Sequence, residues 1–252
     1  TASFTPQKDN TIFSEGALSN AKGFGLFAGN TQNGTTRRAL LKFDLSSIPA
    51  SATVTAASLT LTVNKEATTD TPVSLHRLLA DWGEGSSQAS GGEEGGAAAS
   101  AGDATWTRPF VGAGSPWTAP GGDFVAAASS TLTVPASNIG TWTGLAADVQ
   151  AFVTDPAANF GWIVRAGETT AGTAKKFNSR EVATPSLRPT LSVTYAAGGP
   201  TLTRRRQWEQ EHFFTGQFVD PAADSDADGQ PHLLEYAWDR DPQAPQPVGD
   251  GF

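Results

Sequence analysis

Near the end of this sequence Asp224, Asp226 and Asp228 alternate with Ser225 and Ala227, Gly229 follows, and Glu235 closes the run. This is the twelve-position pattern D-x-D-x-D-G-x5-E of a calcium loop. The chemistry accounts for the spacing. Calcium takes six to eight hard oxygen ligands, and carboxylates at loop positions 1, 3 and 5 converge on one point. Gly229 at position 6 permits the sharp turn, because a residue without Cβ tolerates positive φ. The Gln230 carbonyl serves at position 7, and Glu235 closes the shell with both oxygens. Without Ca2+ the three aspartates repel one another, and the loop is expected to be loose. The alternative is a solvated acidic loop. Pro231 stands at position 8, where a paired EF-hand normally uses a backbone N–H, so a lone loop is the better fit.

Other residues could recognise or cleave a glycan. Trp82, Trp106, Trp117 and Trp142 are of a type that stacks on the apolar C–H face of a sugar ring. Their competing role is core, since Trp is highly buried on average. Trp117 is the foremost platform candidate, because it lies between Pro116 and Pro120 in a Gly-rich loop where burial is harder; Trp82 and Trp106 come next. Glu84, Glu93, Glu94, Asp103 and Asp123 share one irregular stretch, and a pair of carboxylates is what a glycosidase needs. No spacing singles out a pair, so no catalytic residue is assigned and the chain is expected not to be an enzyme. His76, His212 and His232 are scattered and define no Ser-His-Asp arrangement. Arg180 and Glu181 are expected to form a structural charge cluster with Arg38 and Asp44, since partly buried charges need partners.

The elements that must position these residues are mostly strands. Period-two alternation runs through residues 38–45, 54–63, 73–79, 131–134, 160–165 and 190–195. In the first of these, Ala39, Leu41, Phe43 and Leu45 share a face; in the second, Leu59, Leu61 and Val63 point inward and Thr60 and Thr62 outward. Such alternation predicts antiparallel sheets with one buried face. Asn33-Gly34 predicts a tight turn. Leu145, Val149, Phe152 and Val153 recur at helical spacing, so one short helix is expected there, ended by Asp155-Pro156. Residues 83–129 are rich in Gly, Ser and Ala, then carry Trp106, Phe110, Trp117 and Phe124; they are expected to pack as a lid on one sheet. The domain reading is a sandwich over 1–197, a linker at 198–202, and 203–252 as a helix, the calcium loop and an extended tail.

Composition bounds the function. The net charge is −8, and Arg204-Arg205-Arg206 is the only basic run, so nucleic acid is not an expected partner. There are no cysteines, which excludes disulfides and thiolate chemistry. No apolar run approaches membrane-spanning length. The absence of Met, with Thr1 first, leads to the expectation of a processed, exported chain, extracellular or on a cell surface.

Several stretches, taken in order, resemble a known family. They are 37–49 (Arg-Arg-Ala-Leu-Leu-Lys-Phe-Asp-Leu-Ser-Ser-Ile-Pro), 81–85, 102–106, 121–124, 147–150, 159–162, 177–181 and 188–195. Over 1–195 the chain resembles the DNRLRE-domain family, surface modules related to carbohydrate-binding modules. The resemblance implies a jelly-roll-like β-sandwich and a non-catalytic extracellular role, often glycan binding. Residues 204–242 resemble a short calcium-loop tail of exported verrucomicrobial proteins, with His232 where that tail usually has Asn and Trp238-Asp239 where it has Leu-Gly.

The fold expected is therefore all-β, a jelly-roll-like antiparallel sandwich with a small helical appendage that binds Ca2+. Two functions compete. In the first, the chain is a structural subunit of a surface fibre or sheath. It polymerises through an open sheet edge and its C-terminal tail, with calcium stiffening the joint. A neighbouring subunit would then hold the 86–101 segment and the 241–252 tail, which are otherwise expected to be mobile. In the second, it is a carbohydrate-binding module for an extracellular polysaccharide. The first is the main reading.

Overall fold

The computed structural model describes residues 1–65, 70–134, 139–196, 208, 211–212, 220–237 and 241–244. The chain divides into two compact units, Thr1–Gly198 and Gly199–Phe252.

The first unit is an all-β sandwich, and every pairing between its named strands is antiparallel. One layer holds β1 (Ala2–Phe4), β13 (Thr190–Ala196), β6 (Thr53–Lys65) and β10 (Ile139–Trp142). The other holds β2 (Pro6–Phe13), β5 (Thr36–Phe43), β11 (Trp162–Ala166), β7 (Thr71–Arg77) and β9 (Ser130–Val134). Strands β4 (Gly25–Asn30) and β12 (Lys175–Asn178) carry the pairing from β6 to β5, so hydrogen bonding passes from one layer into the other. Short strands β3 (Leu18–Ser19) and β8 (Ala97–Ala98) extend the pairing from β2. Strands β1 to β4, β8 and β10 were not individually placed from the sequence.

The core lies between the layers, where Leu41, Phe43, Leu59, Leu61, Leu75, Trp142, Trp162, Phe177 and Leu191 are buried together. Along β6, Ser58, Thr60 and Thr62 take the other face, as period two requires. A bulge opposite Thr194 and Tyr195 inserts one residue, so Val54 and Ala57 both point inward despite their odd spacing. The predicted turn is a five-residue hairpin loop, 31–35, with Gly34 at φ +77 and the Thr31 N–H bonded to the Thr35 carbonyl at 2.8 Å. The predicted helix is α1 (Ala146–Thr154). Val149, Phe152 and Val153 are its buried residues, and Asp155 ends it. Among the described residues no helix is long and apolar enough to cross a membrane.

The layer containing β5 and β11 is buried on both faces. Leu41 and Trp162 face the core, whereas their neighbours Leu40 and Ile163, opposed in register, face outward. A sandwich's outer face is normally polar. Here the irregular segment covers it, and Ile12, Leu40 and Ile163 pack with Leu78, Trp82, Ala104 and Trp117 in a second hydrophobic cluster. The lid has its own backbone bonds, including Gly83 N–H to Pro109 O at 2.9 Å and Ala104 N–H to Gly83 O at 2.8 Å. A Cβ on Gly83 would stand 1.6 Å from the Gly102 carbonyl oxygen, so only glycine fits that crossing.

The second unit's described part contains residues 220–231 and α2 (His232–Ala237). The expected linker lies outside the described residues, as do most of the helix expected at the start of 203–252 and the end of the tail.

Candidate functional site

The charged side chains do not form the single cluster expected from the sequence. Arg38 and Arg180 belong to separate networks, and Asp44 belongs to neither: it is exposed, and its carboxylate accepts from the Ser46 N–H at 2.9 Å to cap a turn.

The Arg180 network ties the start of the lid to the sandwich. Glu84 accepts from Arg180 Nε at 2.7 Å, from Lys22 Nζ at 2.5 Å and from the Asp9 N–H at 2.9 Å. Burial alone would raise its carboxyl, but the bonds from Arg180 and Lys22 outweigh that and hold it below the usual range. Glu181 stands 3.2 Å from Arg180 and 3.4 Å from Lys22. Asp9 is fully buried; one oxygen accepts from the Arg180 N–H at 2.7 Å and the other has no partner. Burial pushes its carboxyl up to about 7, with the Arg180 N–H opposing and Glu84 adding.

Three further lid acids also bind backbone. Buried Glu93 accepts from the Phe24 N–H at 2.7 Å, and Asp103 from the Ser100 N–H at 2.6 Å and the Ser87 N–H at 3.4 Å. Asp123 accepts from the Thr118 and Ala119 N–H groups at 3.0 and 3.3 Å. These side chains position the lid.

The Arg38 network borders an open groove. Glu168 grips Arg38 through Nε at 2.7 Å and Nη2 at 2.8 Å, and Arg165 through Nε at 3.0 Å and Nη2 at 2.7 Å. Burial would raise the Glu168 carboxyl, yet the bonds from Arg165 and Arg38 win and bring it down to about 2. Arg38 also donates to the Gly121 carbonyl at 2.7 Å, fixing the lid loop over β5. Phe124 lies between the two guanidinium groups, 5.3 Å from that of Arg38 and 4.9 Å from that of Arg165. Arg38, Leu79, Pro120, Asp123 and Phe124 line an open groove of about 630 Å3. Leu79 is 55% exposed there, an uncompensated apolar surface beside charged and amide groups. That mixture suits a sugar, which offers an apolar C–H face and a rim of hydroxyls.

The tryptophans expected as platforms lie elsewhere. Trp117 is buried and donates through Nε1 to the Thr105 carbonyl at 2.9 Å, because the lid folds its proline-flanked loop onto β5 and β11. Trp82 is fully buried, with Nε1 bonded to the Phe160 carbonyl at 2.9 Å. Trp106 is half-buried and covered by the Arg38 guanidinium at 4.6 Å. Trp82 and Trp117 are buried, and none of the three lines the groove. Sequence reasoning missed Glu168, gave Leu79 and Arg165 only strand positions, and placed Phe124 only among the lid aromatics.

In the second unit, ligand oxygens of Asp224, Asp226 and Asp228 lie within 4.8 Å of one another. Asp224 Oδ2 accepts from the Gly229 N–H at 2.8 Å, and Asp228 Oδ1 from the Gln230 N–H at 2.8 Å. Gly229 sits at φ +86, as the sharp turn requires. Glu235, on α2, is fully buried, and neither carboxylate oxygen has a hydrogen-bond partner. Burial pushes its carboxyl up to about 7, and Asp226, Asp228 and Asp224 add to the effect. Both ring nitrogens of His232 are engaged, Nε2 with Ser225 Oγ at 2.8 Å and Nδ1 with the Asp220 carbonyl at 3.1 Å.

A family model for carbohydrate-binding module family 96 matches residues 1–88. The matched segment runs from β1 through β7 into the lid and carries Arg38, Leu79 and Glu84. No curated protein matches the chain. Fold and match together define a β-sandwich whose residues 1–88 are carbohydrate-binding-module-like.

Proposed function

We propose that the sandwich as a whole, residues 1–195, is a non-catalytic carbohydrate-binding module of the DNRLRE-like kind, acting outside the cell on a polysaccharide. The observation that carries this reading is the family match over 1–88. The groove supports it: Phe124 and Leu79 offer apolar surface to a sugar's C–H face, and Arg38, Asp123 and loop backbone offer bonds to hydroxyls. Glu93, Asp103 and Asp123 each accept backbone N–H bonds that position the lid, which supports binding over hydrolysis.

The filament reading loses one of its motives. It took a neighbouring subunit to order the 86–101 segment. Contacts within the chain account for that order: Ser87 and Glu93 are buried, the Ala89 N–H bonds Asn20 at 3.0 Å, and β8 pairs with β3.

The test is calorimetric titration of the chain with a panel of neutral and acidic polysaccharides. Micromolar-to-millimolar binding to at least one is expected. Phe124→Ala should weaken it about tenfold, since covering roughly 50 Å2 of ring at ~25 cal/mol per Å2 is worth ~1.3 kcal/mol. Flat isotherms across the panel would sink the reading, and unchanged affinity in Phe124→Ala would remove the groove from it.

A further inference from the structure

We propose that residues 224–235 bind one calcium ion, held by Asp224, Asp226, Asp228, the Gln230 carbonyl and Glu235. Two independent observations carry this. The first is the spacing of the aspartate oxygens. Calcium–oxygen distances are about 2.4 Å, so oxygens on opposite sides of one ion are about 4.8 Å apart. The three aspartate oxygens lie within that same 4.8 Å of one another, so a single ion can reach them all.

The second is Glu235. A buried carboxylate normally has an ion-pair or hydrogen-bond partner, because an uncompensated buried charge costs several kcal/mol. Glu235 is 0% exposed, and both its oxygens lack a partner. The charges it feels most are the three loop aspartates, which repel it. Asp226 Oδ2 is also buried and unbonded. Burying a fourth carboxylate beside three others makes physical sense when a divalent cation lies among them.

The donor set selects the ion. One oxygen from each aspartate, the Gln230 carbonyl and both oxygens of Glu235 reach the lower end of the six to eight that calcium takes, and a water completes the shell. Magnesium demands a tighter octahedron and keeps most of its own water. Zinc favours nitrogen and sulfur, and both ring nitrogens of His232, the nearest such donor in the loop, are held by Ser225 and the Asp220 carbonyl.

The experiment is isothermal titration of the chelator-stripped full chain with calcium chloride, with no sugar present, so that the result is separate from glycan binding. One site is expected, with Kd at or below about 1 mM and magnesium at least tenfold weaker. Glu235→Gln should weaken calcium at least about a hundredfold, because it removes a bidentate ligand and its charge. Asp226→Asn provides a second variant that leaves the buried helix position intact, and it should weaken binding at least about tenfold. No binding by the wild-type chain up to about 5 mM calcium, or unchanged affinity in both variants, would overturn the proposal.

Discussion

Replacing Glu168 by Gln tests how the groove's wall is held. The carboxylate bonds two guanidinium groups through four contacts, with 16% of its side chain exposed and 10% of Arg38's. Its carboxyl lies at about 2 rather than 4.5. At 1.36 kcal/mol per pKa unit, that displacement contributes about 3 kcal/mol of stability at pH 7. Gln keeps the shape but leaves Arg38 and Arg165 facing each other without a counter-charge. The sign follows from linkage. A carboxyl lowered in the folded state stabilises fully above about pH 4.5 and loses that contribution as pH falls towards 2. Urea unfolding followed by tryptophan fluorescence should therefore show wild type about 3 kcal/mol ahead of Glu168→Gln at pH 7, roughly 6–12 °C in Tm for a unit of this size. The gap should narrow to about half at pH 3. Other carboxylates titrate in both proteins and cancel in the difference. A variant within about 0.5 kcal/mol of wild type at pH 7, or a gap independent of pH, would refute this account.

Asp9→Asn should act on the opposite side of the pH scale. The wild-type carboxyl ionises near 7 when folded and near 3.8 when unfolded, so stability declines by up to about 4 kcal/mol as pH rises from 4 to 7. The variant should lose that decline, and parallel pH profiles of the unfolding midpoint would contradict it. Trp117→Ala should lower stability by about 3–5 kcal/mol, the range for emptying a buried aromatic site. It should also expose residues 83–129 to limited proteolysis, whereas a ring serving as a sugar platform would leave both stability and proteolysis unmoved.

The sequence by itself determined the features whose physics is local. Alternation along β5, β6, β7 and β13 announced an antiparallel sandwich, because period two alone decides which face is buried. Helical spacing from Leu145 to Val153 announced α1 for the same reason. The aspartate spacing of 224–228 was legible because the residues that converge there are neighbours in the chain. The lid's docking surface left a trace that the alternation reading passed over: Ala39-Leu40-Leu41 and Trp162-Ile163-Val164 are continuous apolar runs, which mark strands buried on both faces.

What only the tertiary structure decided is which distant groups meet. Arg38 finds Glu168 across 130 residues and Arg180 finds Glu84 across 96, distances over which no spacing rule operates. Trp117 looked exposed because prolines and glycines flank it; whether such a loop faces solvent depends on whether a sheet beneath it has an apolar outer face to cover. Leu40 and Ile163 supply that face, and with the tryptophan buried beneath it, the lid leaves Phe124 and Leu79 bordering the groove in its place. Glu235 is the same lesson in the second unit. Its spacing nominated it as a ligand, but only folding showed its carboxylate buried with nothing to neutralise it.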